Sequence, residues 1–109
     1  MAEVTGDQML RILSALGSGP RLRIVASLVP GRNYVSQMAR DLQISRPLLH
    51  LHLQRLEKAG LVQGHLELSD DGKAMKFYEV TPFAVSLTPQ AIAKAVETLS
   101  SDAERGEGE

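Results

Sequence analysis

Arg46, His50, Gln54, Arg55 and Lys58 are the side chains of this sequence best placed to do chemistry on a partner. They fall in residues 44–62, ISRPLLHLHLQRLEKAGLV, where Leu49, His52, Leu53 and Leu56 repeat at i, i+3, i+4 and i+7. That spacing makes the four one buried face of a helix. Pro47, Leu51, Gln54, Arg55 and Lys58 then lie on the opposite side. Guanidinium and ammonium groups there can neutralise phosphates, and an arginine or an amide can hydrogen-bond base edges. Ser45, Arg46, Leu48 and His50 sit near the N-terminal end, the end that enters the groove when such a helix reads DNA. Leu48 and Leu51 are unusual there. A leucine can touch a thymine methyl, but it can equally anchor a protein partner.

Other chemistries lack their residues. His50 and His52 are two apart, about 200° around a helix, so one chain cannot bring both to one ion. His52 reads as a partly buried core residue and His65 as a solvated strand residue. The chain has no cysteine, which removes disulfides and thiolate ligands. Asp70-Asp71-Gly72 lacks the spaced oxygen ligands of a calcium loop and reads as a turn. No Ser/His/Asp grouping with a credible elbow and no phosphate-binding glycine loop is found. The expectation is a protein that is not an enzyme and uses no metal or cofactor.

The elements that must hold this face follow from local signals. The organising helix, about 45–59, starts at Ser45 or Arg46 as N-cap with Pro47 in the first turn, and stops at Gly60. Ile44 can staple onto Leu49. Upstream, Asp7 can cap a helix over 8–16 with the stripe Met9, Ile12, Leu13 and Leu16. Gly17-Ser18-Gly19 ends it, and Pro20 opens a second helix to Leu28 with Leu22, Val25, Ala26 and Leu28 inward. After the break at 29–33, Tyr34-Val35 suits a short strand paired with a later hairpin. Ser36 suits an N-cap for a helix over 37–42. Ala39 is small enough for another helix to approach.

Downstream of Gly60 the period drops to about two. Strands over 61–68 and 73–80 flank Asp71-Gly72, a hairpin turn signal. Lys73 and Lys76 flank the acidic tip and can reach phosphates. Thr88-Pro89 announces a last helix over 90–99, with Leu87 stapling onto Ile92 and with Ile92, Val96 and Leu99 apolar. Two terminal helices cannot both bury such stripes in so small a domain, which favours a dimer seam formed by Met9, Ile12, Leu13, Leu16, Ile92, Val96 and Leu99.

The chain has 109 residues, 43% hydrophobic and 23% charged, which suits one globular domain. Residues 1–7 are expected to be a flexible lead, 8–99 the folded domain and 100–109 an acidic, disordered tail. The formal charge of −1 does not advertise nucleic acid, but its distribution is uneven. Residues 1–80 hold ten Lys and Arg against eight Asp and Glu, whereas 81–109 hold two against five. No apolar run is long enough to span a membrane, and no basic stretch followed by an apolar block opens the chain. Together with the missing cysteines this points to a cytoplasmic protein.

Two helices joined by a tight turn and followed by a hairpin describe a winged helix-turn-helix, mainly α with a small β-hairpin wing. The sequence resembles the ArsR-like winged-helix transcriptional regulators. Arg21-Leu22-Arg23-Ile24-Val25 is similar to the family's Arg-Leu-x-Ile-Leu segment. His52-Leu53-x-x-Leu56-x-x-Ala59-Gly60-Leu61-Val62 is similar to its His-Leu-x-x-Leu-x-x-x-Gly-Leu-Val stretch, and Lys76-Phe77-Tyr78-Glu79-Val80 to the closing wing strand. The resemblance implies a homodimer joined through the first and last helices. It implies two recognition helices in successive major grooves and operator binding that controls transcription, with repression the expected sense. It departs from the family at Pro47, Leu48, His50 and Leu51, where small polar residues are usual, and at the acidic wing tip. Metal sensing is not carried over, because the segment 90–99 has no histidine and only Glu97 as an acid. The rival expectation is a winged helix used for protein contact through Leu48 and Leu51.

Overall fold

The computed structural model describes residues 4–100. Its elements run α1 (Gly6–Leu16), α2 (Gly19–Leu28), β1 (Asn33–Tyr34), α3 (Val35–Leu42), α4 (Arg46–Lys58), β2 (Val62–Leu68), β3 (Ala74–Val80) and α5 (Pro89–Val96). The strands form one antiparallel sheet in the order β1-β3-β2. The hairpin register pairs Val62 with Val80, Gly64 with Tyr78 and Leu66 with Lys76.

Ile24, Leu28, Met38, Leu49, Leu53, Leu56, Leu61 and Val62 are fully buried and join α2, α3, α4 and the base of the hairpin into one core. Truncating any of the leucines to alanine is expected to cost about 2–5 kcal/mol. The α3–α4 turn is held by Gln43 in the left-handed region and by the Ile44 N–H bonding back to the Ala39 carbonyl at 3.1 Å. Buried Ala39 keeps that corner close.

Several local expectations are corrected. Thr5, not Asp7, caps α1: its hydroxyl accepts from Gln8 N–H while the Gln8 side chain accepts from Thr5 N–H. A Thr-x-x-Gln box satisfies two orphan donors, which a lone Asp7 cap cannot do. Thr5, Gly6 and Asp7 thus belong to the fold rather than to a flexible lead; residues 1–3 lie outside the described residues. On α2, Ile24 and Leu28 are buried, whereas Leu22 and Ala26 are exposed. Arg21 shares the inward side with Ile24, Val25 and Leu28 at i, i+3, i+4 and i+7, and its hydrogen bonds set the rotation of the helix. The short strand is Asn33–Tyr34, one residue earlier than expected, pairing with Tyr78 and Phe77. The chain turns directly from it into α3, so Val35 is buried at the first helical position and Ser36 caps nothing.

The last helix is capped by the Thr88 hydroxyl on Ala91 N–H, with Pro89 next. It ends at Val96, and i to i−3 bonds carry a tighter turn on to Leu99. Leu87 and Ile92 both remain exposed. α5 folds back on α1: Gly6 N–H donates to Thr98 Oγ1 at 2.8 Å and Ser100 N–H to Asp7 Oδ1 at 2.9 Å. A Cβ on Gly6 would run into the Ala95 carbonyl. This intrachain packing accounts for part of the terminal stripes. Met9 and Ile12 are buried within the chain, which leaves them little surface for a second copy.

Candidate nucleic-acid interface

Ser45 caps α4, its hydroxyl accepting from Leu48 N–H, with Arg46 and Pro47 as the first two helical residues. At the other end Ala59 is the C-cap and Gly60 takes φ +77°. Gly60 N–H bonds to the Glu57 carbonyl at 2.9 Å and Leu61 N–H to the Leu56 carbonyl at 3.0 Å. This is a Schellman stop, sealed by the buried pair Leu56 and Leu61. The helix therefore has defined ends, and its rotation is fixed by Leu49, Leu53 and Leu56, all without accessible surface.

Apart from half-buried His52, the rest of α4 faces outward. Arg46, Leu48, His50, Leu51, Gln54, Arg55 and Lys58 are exposed, with Leu48 at 43% and Leu51 at 52%. Arg55 and Lys58 occupy the last turn, where the helix dipole favours cations. The two halves of this face differ. Arg46, Leu48 and His50 stand clear. Leu51, Arg55 and Lys58 form one wall of a groove of about 930 Å³ whose other wall is Leu10, Arg11 and Ser14 of α1.

On the hairpin, Lys73 and Lys76 are exposed. Lys76 lies on the sheet face of Val62 and Tyr78, with its Nζ 5.5 Å from the Tyr78 ring centroid. Gly64 makes room for this: a side chain there would meet the Tyr78 ring and the Lys76 stem. At the tip, the Ser69 hydroxyl and then the Lys73 N–H hold Asp71 below the usual carboxylate range. The tip is therefore anionic and ill suited to phosphate, and the useful cations lie behind it.

Two clusters were not legible in the sequence. Arg21 Nε donates to the Ala15 carbonyl at 2.6 Å while its Nη1 lies 3.2 Å from His52 Nδ1, so one guanidinium ties α1 to α4. Burial, then Arg21 and Arg55, hold the His52 pKa below its ordinary value. His52 is accordingly a half-buried acceptor. On the outer sheet face, Arg32 stacks on Phe77 at 4.1 Å and pairs with Glu67 at 3.2 Å, and Tyr34 donates to the same carboxylate. His65 stacks on Phe77 and pairs with Glu79 at 3.1 Å. The only signal for the first cluster was the Arg21 segment itself.

This arrangement is a winged helix-turn-helix: α3 and α4 joined by a tight turn, α4 outermost, and the β2–β3 hairpin beside it. Residues 18–63 match the profile of the bacterial regulatory proteins of the arsR family. An uncharacterized HTH-type transcriptional regulator of Methanocaldococcus jannaschii is 28% identical over 89 residues, 82% of this chain and 93% of the relative. The HTH-type transcriptional regulator Rv2034 of Mycobacterium tuberculosis is 44% identical over 52 residues, 48% of this chain and 49% of the relative. In fold, the chain is similar to a homodimeric winged helix-turn-helix DNA-binding domain from Mycobacterium bovis. The TM-score there is 0.59 at 22% identity, over 93% of this chain and 82% of that one. Over its helix-turn-helix the chain is thus similar to the ArsR-like, DNA-binding transcriptional regulators. Among the described residues, no helix is long and apolar enough to cross a membrane.

Proposed function

We propose that the protein binds operator DNA as a cytoplasmic homodimer, represses transcription, and uses neither a transition-metal effector nor catalysis. The observation that carries the DNA reading is the division of α4: its inner face is wholly spent on the core, and its outer face presents Arg46, His50, Gln54, Arg55 and Lys58 to solvent. Arg46 and His50, with Ser45, are assigned to base edges near the entering end. Arg55, Lys58, Lys73 and Lys76 are assigned to phosphates, and Gln54 to either. Leu48 and Leu51 are assigned to thymine methyls.

The dimer seam is assigned to Leu13, Ile92 and Val96, which are exposed, with half-buried Leu16 and Leu99 at its edge. The homodimer described for the Mycobacterium bovis domain supports this reading. Selection of bound sites from a random duplex pool tests the whole assignment. A two-fold symmetric consensus is expected, with half-sites one helical turn apart or a multiple of that. Recovery of no consensus would overturn it. The exposure of both leucines favours one second reading, an apolar contact for a protein partner.

A further inference from the structure

The groove between α1 and α4 has a candidate occupant in the same chain. Its walls carry Arg11, Arg55 and Lys58. Of the two acids that line it, Asp7 is already engaged by the Ser100 N–H. The other, Glu57, adds to burial in disfavouring the Tyr78 phenolate. The hydrogen bond to Asp7 brings the chain out of α5 at the groove's own rim. The nine residues that follow, SDAERGEGE, hold four carboxylates against one arginine. Nine residues reach at most about 30 Å, whereas α1 from Asp7 to Ala15 extends only about 12 Å. Every cation of the groove is within reach, and a tethered segment acts at millimolar effective concentration without needing high affinity.

We propose that residues 101–109 dock in the α1–α4 groove of their own chain, on Arg11, Arg55 and Lys58, and compete there with DNA phosphates. The inference rests on the assignment of Arg55 and Lys58 to DNA. It makes the tail a brake on nonspecific binding. Bulk duplex offers mainly phosphate contacts and is held off. A true site also engages Arg46 and His50 outside the groove and displaces the tail.

The test compares the full chain with a full-length variant carrying Asp102→Asn, Glu104→Gln, Glu107→Gln and Glu109→Gln. Amide and arginine side-chain NMR shifts are read first, without DNA. Docking is expected to appear as shift differences confined to residues lining the groove, with Arg11 and Arg55 Nε foremost, and independent of protein concentration. Affinity for a mixed-sequence duplex at low salt is read second, with the variant expected to bind roughly three- to tenfold tighter. Absence of groove shifts overturns the proposal even if DNA binding tightens, since tightening alone is general electrostatics. Concentration-dependent shifts, or a small molecule carried through purification in the groove, overturn it as well. Groove shifts in a protein that binds no duplex in either form would support the docking and overturn the DNA assignment instead.

Discussion

Arg21 Nη1 lies 3.2 Å from His52 Nδ1, so the guanidinium, which can only donate, fixes the imidazole as an acceptor with its proton on Nε2. The same arginine closes the end of α1 through the Ala15 carbonyl. One side chain thereby couples the helix assigned to the dimer seam with the helix assigned to DNA. Removing it by Arg21→Ala leaves a part-buried carbonyl and a ring nitrogen unpaired. We expect a loss of about 1–3 kcal/mol in urea unfolding, and a loss of DNA affinity although Arg21 touches no DNA in this assignment. Unchanged stability would show the link to be idle.

The same pair sets a pH dependence. Burial first, and the charges of Arg21 and Arg55 after it, lower the pKa of His52 below 6.5 in the fold. The unfolded chain therefore binds that proton more readily than the native one. The contribution is fully present above 6.5 and is lost as pH falls through 6.5 toward the lowered native value. Urea midpoints measured across this window should fall on acidification, and His52→Gln, which keeps an acceptor but cannot titrate, should flatten the slope. A variant with the wild-type slope would assign it to other groups.

Gly6 is a tight point of a different kind. Its missing side chain lets α1 lie against the Ala95 carbonyl and the Leu99 backbone. Gly6→Ala must push α5 away, with an expected cost of roughly 1–3 kcal/mol. It should also expose Ser100 N–H to faster hydrogen exchange by loosening its bond to Asp7. Normal exchange in a stable variant would mean that α5 tolerates displacement.

The parts of the fold legible in the sequence were those set locally. Ser45-Arg46-Pro47 and Gly60 mark the ends of α4, Asp71-Gly72 the hairpin turn, and Thr88-Pro89 the start of α5, because each satisfies its own backbone groups within a few residues. The rotation of α2 was not legible. Leu22 and Ala26 fit a helical stripe with Val25 as well as Ile24 and Leu28 do, and Arg21, bonding to partners six and 31 residues away, favours the second. The outer face of α4 could be read as the complement of its leucines. The groove could not, because it exists only once α1 lies beside α4.

The dimer assignment turns on two exposed apolar residues of α5. Ile92 is 45% and Val96 57% accessible in the single chain, while neighbouring Ala95 is spent on the intrachain contact. Val96→Glu should leave the fold intact by circular dichroism yet shift sedimentation from dimer to monomer at micromolar concentration. It should also weaken operator binding far more than a distant surface charge does, since two half-sites must be held together. A wild-type chain that sediments as a monomer under those conditions would sink the assignment.

The outer face of α4 divides into tasks that single substitutions separate. Lys58 stands in the last turn beside the groove, away from the entering end, so Lys58→Ala should weaken all duplexes alike and reduce the salt slope by about one unit. Arg46 stands at the first helical position, clear of α1, so Arg46→Ala should cost roughly 1–3 kcal/mol on the selected site and relax one base pair. Leu51 decides between DNA and a protein partner. At 52% exposure in the middle of the face, its loss should cost little beyond a methyl contact on DNA, but about 2 kcal/mol or more if it anchors a protein. The measurement is fluorescence anisotropy of a labelled duplex at two salt concentrations. If Arg46, Arg55 and Lys58 can all become alanine with binding and salt slope unchanged, α4 is not the reader, and the face it shows to solvent serves another partner.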